Sequence, residues 1–219
     1  MDNLIVSLFV CLMFPLAMSL LVLAGKSRQL FVFLLAGIFL CLFASQINGM
    51  IAAATGKDMY TLTTTVTPVV EEIVKTIPIL VLALLLGGDR QTLLECALMV
   101  GLGFATMENV YILMEAEQVS LLWAASRGFG AAMMHAATSL IVSYSISYCK
   151  VRKKTFLTGT YATLLGAMVF HGIYNMLVQS PKLMHLGLLL PTVVFVPLAL
   201  TVFRQRKKAD PAKTKHTHP

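Results

Sequence analysis

The sequence predicts an all-α protein: a polytopic bundle of about seven transmembrane helices, with the N-terminus outside and the C-terminus in the cytoplasm. Three observations predict it. Of 219 residues, 58% are hydrophobic and only 12% charged, whereas a soluble domain carries about 25% charged residues. Apolar windows of about 20 residues, the length that crosses a bilayer core, recur along the chain. The basic residues concentrate in alternate loops. Such a composition excludes a disordered chain, a secreted disulfide scaffold and an ordinary soluble enzyme.

The windows lie near residues 3–24, 29–48, 67–86, 92–114, 119–148, 157–178 and 186–203. The first lacks a basic leading region, carries Asp2 and is too long for a signal-peptide core, so it reads as a retained helix. The second is uninterrupted. The third carries three charges. The fourth contains Gly101 and Gly103, small residues that let two helix backbones approach. The fifth is over-long, which a tilt or a later start would accommodate. The sixth and seventh are of ordinary length. A loop of about residues 49–66, rich in Ala and Thr, is expected on the outer side, where it could border an entrance. Residues 1–203 then form one integral membrane domain, and 204–219 a basic tail expected to be disordered and to lie against anionic cytoplasmic lipid.

Orientation follows from charge. Of the 17 Lys and Arg residues, thirteen fall on one face, in the loops around Lys26, Arg90 and Lys150 and in the tail. The other face holds Lys57 and Lys182, and Lys75 and Arg127 fall inside spans. The thirteen mark the cytoplasmic side. The net charge of +7 sits in short loops and the tail rather than on an aromatic-studded face, so no nucleic-acid partner is expected. Cys11, Cys41, Cys96 and Cys149 are scattered, with neither a disulfide framework nor a metal spacing. His216 and His218 in the tail read as solvated residues.

Charge within a span is costly and normally faces a bundle interior or a hydrated cavity. The third span holds Glu71, Glu72 and Lys75, the fourth Glu108, the fifth Arg127 and His135, the sixth His171. Lys75 is four residues from Glu71 and three from Glu72, so it can pair with either. Phe104 shares a face with Glu108, and Asn175 with His171. Glu71 and Glu72 lie about one turn below the outer surface. Glu108 lies about 24 Å from the cytoplasmic side and His171 about 21 Å, both in the outer half. His135 fits less well, landing near mid-membrane only if the fifth span starts later than about residue 123. Each residue alone has a plainer reading: an intrahelical ion pair for Glu71 and Lys75, an interhelical hydrogen bond for either histidine, snorkelling for Arg127, helix joining for Asn109. Their shared depth lifts Glu71, Glu72, Glu108 and His171 above those readings.

Carboxylates and imidazoles gathered in a low-dielectric pocket cannot all be charged, and they titrate as one coupled unit. A carboxylate there can act as general base on a water that attacks a peptide carbonyl, with histidine stabilising the oxyanion or protonating the leaving amine. Asn175 can orient His171 or add a hydrogen bond to the oxyanion. Either Glu71 or Glu72 can be the base, since spacing alone does not separate adjacent residues; Glu71 is slightly favoured because it can sit four residues from Lys75. With no H-E-x-x-H and no Cys/His ligand spacing, no cofactor is expected, and a divalent metal such as zinc is the alternative.

Four motifs occur in order on separate spans: P-V-V-E-E-I-V-K at 68–75, G-F-A-T-M-E-N-V at 103–110, Arg127 eight residues before His135, and F-H-G-I-Y-N at 170–175. Together they resemble the PrsW family of glutamic-type intramembrane proteases, within a superfamily that includes prenyl-CAAX endopeptidases and bacteriocin-processing enzymes. The resemblance covers about residues 68–176. It implies a multi-pass protease of a bacterial plasma membrane that cuts a membrane protein near the outer face. The substrate it implies is a single-span protein such as an anti-sigma factor, at its first cleavage. It assigns catalysis to Glu71, Glu72, Glu108, His135 and His171, with Lys75, Phe104, Asn109, Arg127 and Asn175 in support. One departure is visible: the family pattern often ends H-x-x-x-D, whereas Asn175 follows His171 here. Two rivals use the same residues: a proton- or cation-coupled transporter, and a catalytically silent immunity or scaffold protein.

Overall fold

A computed structural model describes residues 20–116, 121–149 and 153–209, together with Leu16 and Met18. Among these residues the chain is helical without strands. Helix α1 is Gly25–Thr55, α2 Met59–Thr61, and a π-helical turn Leu62–Val66 leads into α3, Thr67–Leu84. Then follow α4 (Arg90–Glu115), α5 (Leu121–Cys149), α6 (Lys153–Gln179) and α7 (Met184–Ala209).

Among the described residues, five helices are long and apolar enough to cross a membrane: α1, α4, and the stretches Arg127–Cys149, Thr155–Gln179 and Met184–Val202 of α5, α6 and α7. Two of the seven expected spans are not among them. Residues 3–24 fall largely outside the described residues, as does Cys11. Helix α3 spends three of its 18 positions on Glu71, Glu72 and Lys75. Its two faces explain how it is accommodated. Val69, Ile73, Ile77, Val81 and Leu84 point outward, and Glu71, Glu72, Lys75 and Thr76 are buried. The apolar stripe faces out and the charges face in, the reverse of a helix on a water-soluble protein.

The expected loop at 49–66 is almost entirely helical. Helix α1 runs to Thr55 and ends at Gly56, which takes a left-handed φ of 61° and returns its N–H to Ala52. Only Gly56–Asp58 separate it from α2, which Asp58 caps by accepting from the Thr61 N–H at 2.9 Å. The threonines that suggested a loop turn their hydroxyls back onto the preceding turn. Thr63, Thr64 and Thr65 donate to the carbonyls of Met59, Tyr60 and Thr61 at 2.8, 2.7 and 2.6 Å. That back-bonding satisfies polar side chains inside a helix and bends it.

The expected tail is also shorter than drawn. Helix α7 continues to Ala209, because Arg204, Gln205, Arg206, Lys207 and Lys208 are all good helix formers. Residues 210–219, with His216 and His218, lie outside the described residues.

Helix α1 packs along α4, α4 along α5, and α5 against α6 and α7. Gly101 and Gly103 make two of these approaches possible. A methyl group at Gly101 would meet the His135 carbonyl of α5, and one at Gly103 the Leu34 carbonyl of α1. One apolar core joins Phe33, Ile79, Leu82, Val100 and Ile146. A second joins Leu35, Ile38, Cys41, Val74, Phe104 and Met107. Cys41, Cys96 and Cys149 are buried free thiols.

Candidate functional site

Side chains from α3, α4, α5 and α6 meet in one hydrogen-bonded chain. His171 Nδ1 lies 2.9 Å from Glu72 Oε1, and the same oxygen accepts from Lys75 Nζ at 2.7 Å. Lys75 Nζ also lies 2.9 Å from His135 Nδ1 and donates to Thr138 Oγ1 at 3.2 Å. His135 Nε2 lies 2.7 Å from Glu108 Oε2, and Glu108 Oε1 accepts from Arg127 Nη2 at 2.6 Å. Six ionisable side chains from four helices thus form a continuous relay. Glu71 stands beside it, with Oε2 at 3.8 Å from His171 Nε2.

All five residues expected to carry chemistry come together, His135 included. Four supporting residues join them in different ways. Phe104 packs under the network, its ring 5.0 Å from that of His135 and 5.3 Å from Lys75 Nζ. Arg127 pairs with Glu108. Lys75 settles an ambiguity of spacing by pairing with Glu72 at three residues, so its spacing from Glu71 is no reason to favour that carboxylate. Asn175 donates from its amide to the Thr63 carbonyl at 2.9 Å. Asn109 stands apart, its side-chain oxygen buried without a hydrogen-bond partner.

The geometry sorts the groups by what they have left to offer. An ammonium has only protons to give. The three protons of Lys75 go to Glu72, His135 and Thr138, so His135 accepts at Nδ1 and donates from Nε2 to Glu108. Glu72 accepts from Lys75 and from His171 Nδ1, which leaves the His171 lone pair on Nε2. Glu72 pairs with Lys75 and Glu108 with Arg127, both below hydrogen-bond distances of 3 Å. Glu71 is the carboxylate of the set without a cationic side chain of its own. Glu71 Oε2 and His171 Nε2 are both buried and both lack a hydrogen-bond partner.

Two cavities adjoin the network. One, of about 300 Å³, is bounded by Thr63, Thr67, Glu108, Trp123, Arg127, Asn175 and Gln179. The other, of about 360 Å³, is bounded by Cys41, Ser45, Asn48, Thr63, Thr67, Glu71, Glu108 and Tyr111. Glu108, Thr63, Thr67 and Ile112 border both, so the two cavities lie on either side of a wall that includes the Glu108 carboxylate. Sequence reasoning passed over Thr63, Thr67, Trp123 and Gln179. A signal existed for Gln179, since 171, 175 and 179 are one stripe of a helix. None existed for Trp123.

The residues also suit a metal ion. One ligand atom each from Glu71, His135 and His171 lies within 4.8 Å of the others. Glu71 Oε2 and His171 Nε2 are both orphaned, and their separation of 3.8 Å suits two ligands each about 2.0–2.2 Å from one ion. Glu72 behind His171 Nδ1 is the carboxylate–histidine backing typical of a metal ligand. His135 would have to release Lys75 or Glu108 to become the third. The sequence had left zinc open, and here it has a donor set.

No curated protein and no solved structure matches the chain. Residues 25–202 match the family described as PrsW family intramembrane metalloprotease. That stretch takes in α1 to α6 and most of α7, with every motif on which the resemblance rested. The chain therefore belongs to the PrsW family of intramembrane metalloproteases.

Proposed function

We propose that this chain hydrolyses a peptide bond of a membrane-protein substrate, with Glu71 as the base that activates water. One observation carries the reading: Glu71 Oε2 and His171 Nε2 face each other, buried and unpartnered, and Glu71 borders a cavity. Two groups with unused lone pairs beside a space for substrate are what water activation needs.

In the reaction, Glu71 takes a proton from water as the water oxygen bonds to the substrate carbonyl carbon. The tetrahedral intermediate collapses, the C–N bond breaks, and Glu71 returns the proton to the leaving amine. Glu72 holds His171 in the tautomer that presents Nε2. Lys75 keeps the Glu72 charge compensated. Arg127 lines the first cavity with a buried Nε–H that has no acceptor, and is suited to the developing oxyanion. Glu108 and His135 hold Arg127 and Lys75 in place. Glu71 and His171, joined by His135, would hold a divalent ion, which would supply Lewis-acid polarisation of water or carbonyl.

The chain would sit in a bacterial plasma membrane with seven spans, residues 3–24 and α3 included. Its N-terminus would lie outside, its C-terminus in the cytoplasm, and the site in the outer half. The thirteen basic residues on one face support that orientation. The substrate would be a single-span protein, an anti-sigma factor being the example the family resemblance offers.

Reconstitution with a candidate single-span substrate, followed by sequencing of the products, tests the reading. Glu71→Gln, Glu72→Gln, Glu108→Gln and His171→Ala are compared with the parent, with and without a chelator. Cleavage that survives all four substitutions would falsify the assignment. The continuous relay from His171 to Arg127 also suits a proton path. Proton flux into liposomes that needs the same residues, without proteolysis, would point to a transporter instead. Absence of both activities would leave a silent immunity or scaffold protein.

A further inference from the structure

The π-helical turn sits directly before the two adjacent glutamates. In it the Thr67 N–H bonds the Leu62 carbonyl, five residues back. The next donor in that register, at position 68, would serve the Thr63 carbonyl. Position 68 is a proline and has no N–H. Residue 67 is committed and residue 68 has nothing to give, so the Thr63 carbonyl is orphaned by the backbone.

Helix α6 supplies what is missing. Asn175 Nδ2 donates to the Thr63 carbonyl at 2.9 Å. Gln179, one turn on, donates from Nε2 to the Thr63 hydroxyl at 3.0 Å. His171, one turn before, meets Glu72. A methyl group at Gly172 would fall against the Thr64 carbonyl, so its absence lets α6 come this close. His171, Asn175 and Gln179 are one stripe of α6 and grip the chain at Glu72 and at Thr63. Shifting the π turn therefore shifts Glu71 and Glu72 relative to His171.

We infer that Asn175 is a positioning residue: it takes up the carbonyl left over by the π turn and Pro68, and so sets the depth of Glu71 and Glu72 against His171. This rests on the proteolytic reading for its kinetic consequence, but not for its structural one. Single π-helical turns within α-helices occur frequently at functional sites.

The test uses the full-length protein in liposomes of phosphatidylethanolamine and phosphatidylglycerol. Hydrogen exchange of the amides at 62–70 is followed beside cleavage of a fluorogenic single-span peptide. Asn175→Ala is expected to speed that exchange about tenfold, the loss of one hydrogen bond. It is also expected to lower kcat roughly tenfold to a hundredfold with KM nearly unchanged, the effect of a small misplacement. Pro68→Ala in the Asn175→Ala background restores an N–H for the Thr63 carbonyl. It should recover part of both losses, which a general packing defect would not. Where Asn175→Ala does not fold, Asn175→Asp, similar in shape but without the N–H, takes its place.

Unchanged exchange and unchanged kcat overturn the inference. A raised KM at constant kcat overturns it too, since that marks direct contact with substrate. If the parent protein cuts no peptide, the proteolytic reading fails, and the exchange data alone decide the role of Asn175.

Discussion

Glu71 and His171 face each other across 3.8 Å, each presenting a buried atom with no hydrogen bond, while Glu72 is ion-paired with Lys75 and Glu108 with Arg127. The neighbouring Glu72 has the opposite fate, accepting from both Lys75 and His171. Two adjacent carboxylates therefore have different surroundings, one bordering a cavity and the other held by two hydrogen bonds.

This separation predicts different failures. Glu71→Gln should abolish cleavage, by at least about a hundredfold, the usual worth of a general base. It should leave the unfolding temperature close to that of the parent, since Glu71 supports no partner. Thermal unfolding in detergent, read beside the cleavage rate, checks both halves. A large drop in unfolding temperature would mean that Glu71 is structural after all.

Lys75 is 2% exposed and bonds three residues from two helices. Lys75→Met strands the Glu72 charge and the His135 Nδ1 atom in the interior. Breaking a buried pair by removing one partner costs roughly 3–5 kcal/mol. The expected result is a marked loss of folded protein, measured by gel filtration after extraction. The double substitution Lys75→Met with Glu72→Leu should recover fold but not activity.

Zinc binding separates the roles of the same residues without any substrate. Calorimetric titration of chelator-treated protein should give an isotherm for the parent and none for Glu71→Gln or His171→Ala. Glu72→Gln should weaken it about 10–100-fold, as for a group that backs a ligand. Cleavage that persists in the chelator would leave Glu71 to activate water unaided.

Helix approach at Gly101 sets the position of His135. Gly101→Ala places a methyl group on the His135 carbonyl and must push α4 from α5. Overpacking of this kind costs about 1–3 kcal/mol. A lower unfolding temperature and slower cleavage should appear together. Gly128→Ala, on the same α5 helix but with open space around it, should change neither.

Much of the site was legible because polarity inside a lipid-facing helix is conspicuous. Glu71, Glu72, Lys75, Glu108, Arg127, His135 and His171 all stand out against apolar neighbours, and their depths could be counted from the span ends. The segment at 49–66 misled for a local reason. Thr and Ala suggest a loop by propensity, but threonine hydroxyls that bond back to their own helix remove the polar cost. The contact of Asn175 was hidden because its partner is a backbone carbonyl. No side-chain pattern announces that, although Pro68 five residues after Thr63 removes its donor in plain sight.

Composition and periodicity alone determined that the chain is a helical membrane protein, and the order of its motifs determined its family. Those are properties of one helix at a time: how apolar it is, how long, and which residues share its face. Which glutamate pairs with Lys75, which histidine nitrogen is left free and where Asn175 points were decided only when four helices packed together. A hydrogen bond between helices depends on their relative depth and rotation to within an ångström, and that register is set by contacts such as Gly101 on α5 rather than by anything within a single span.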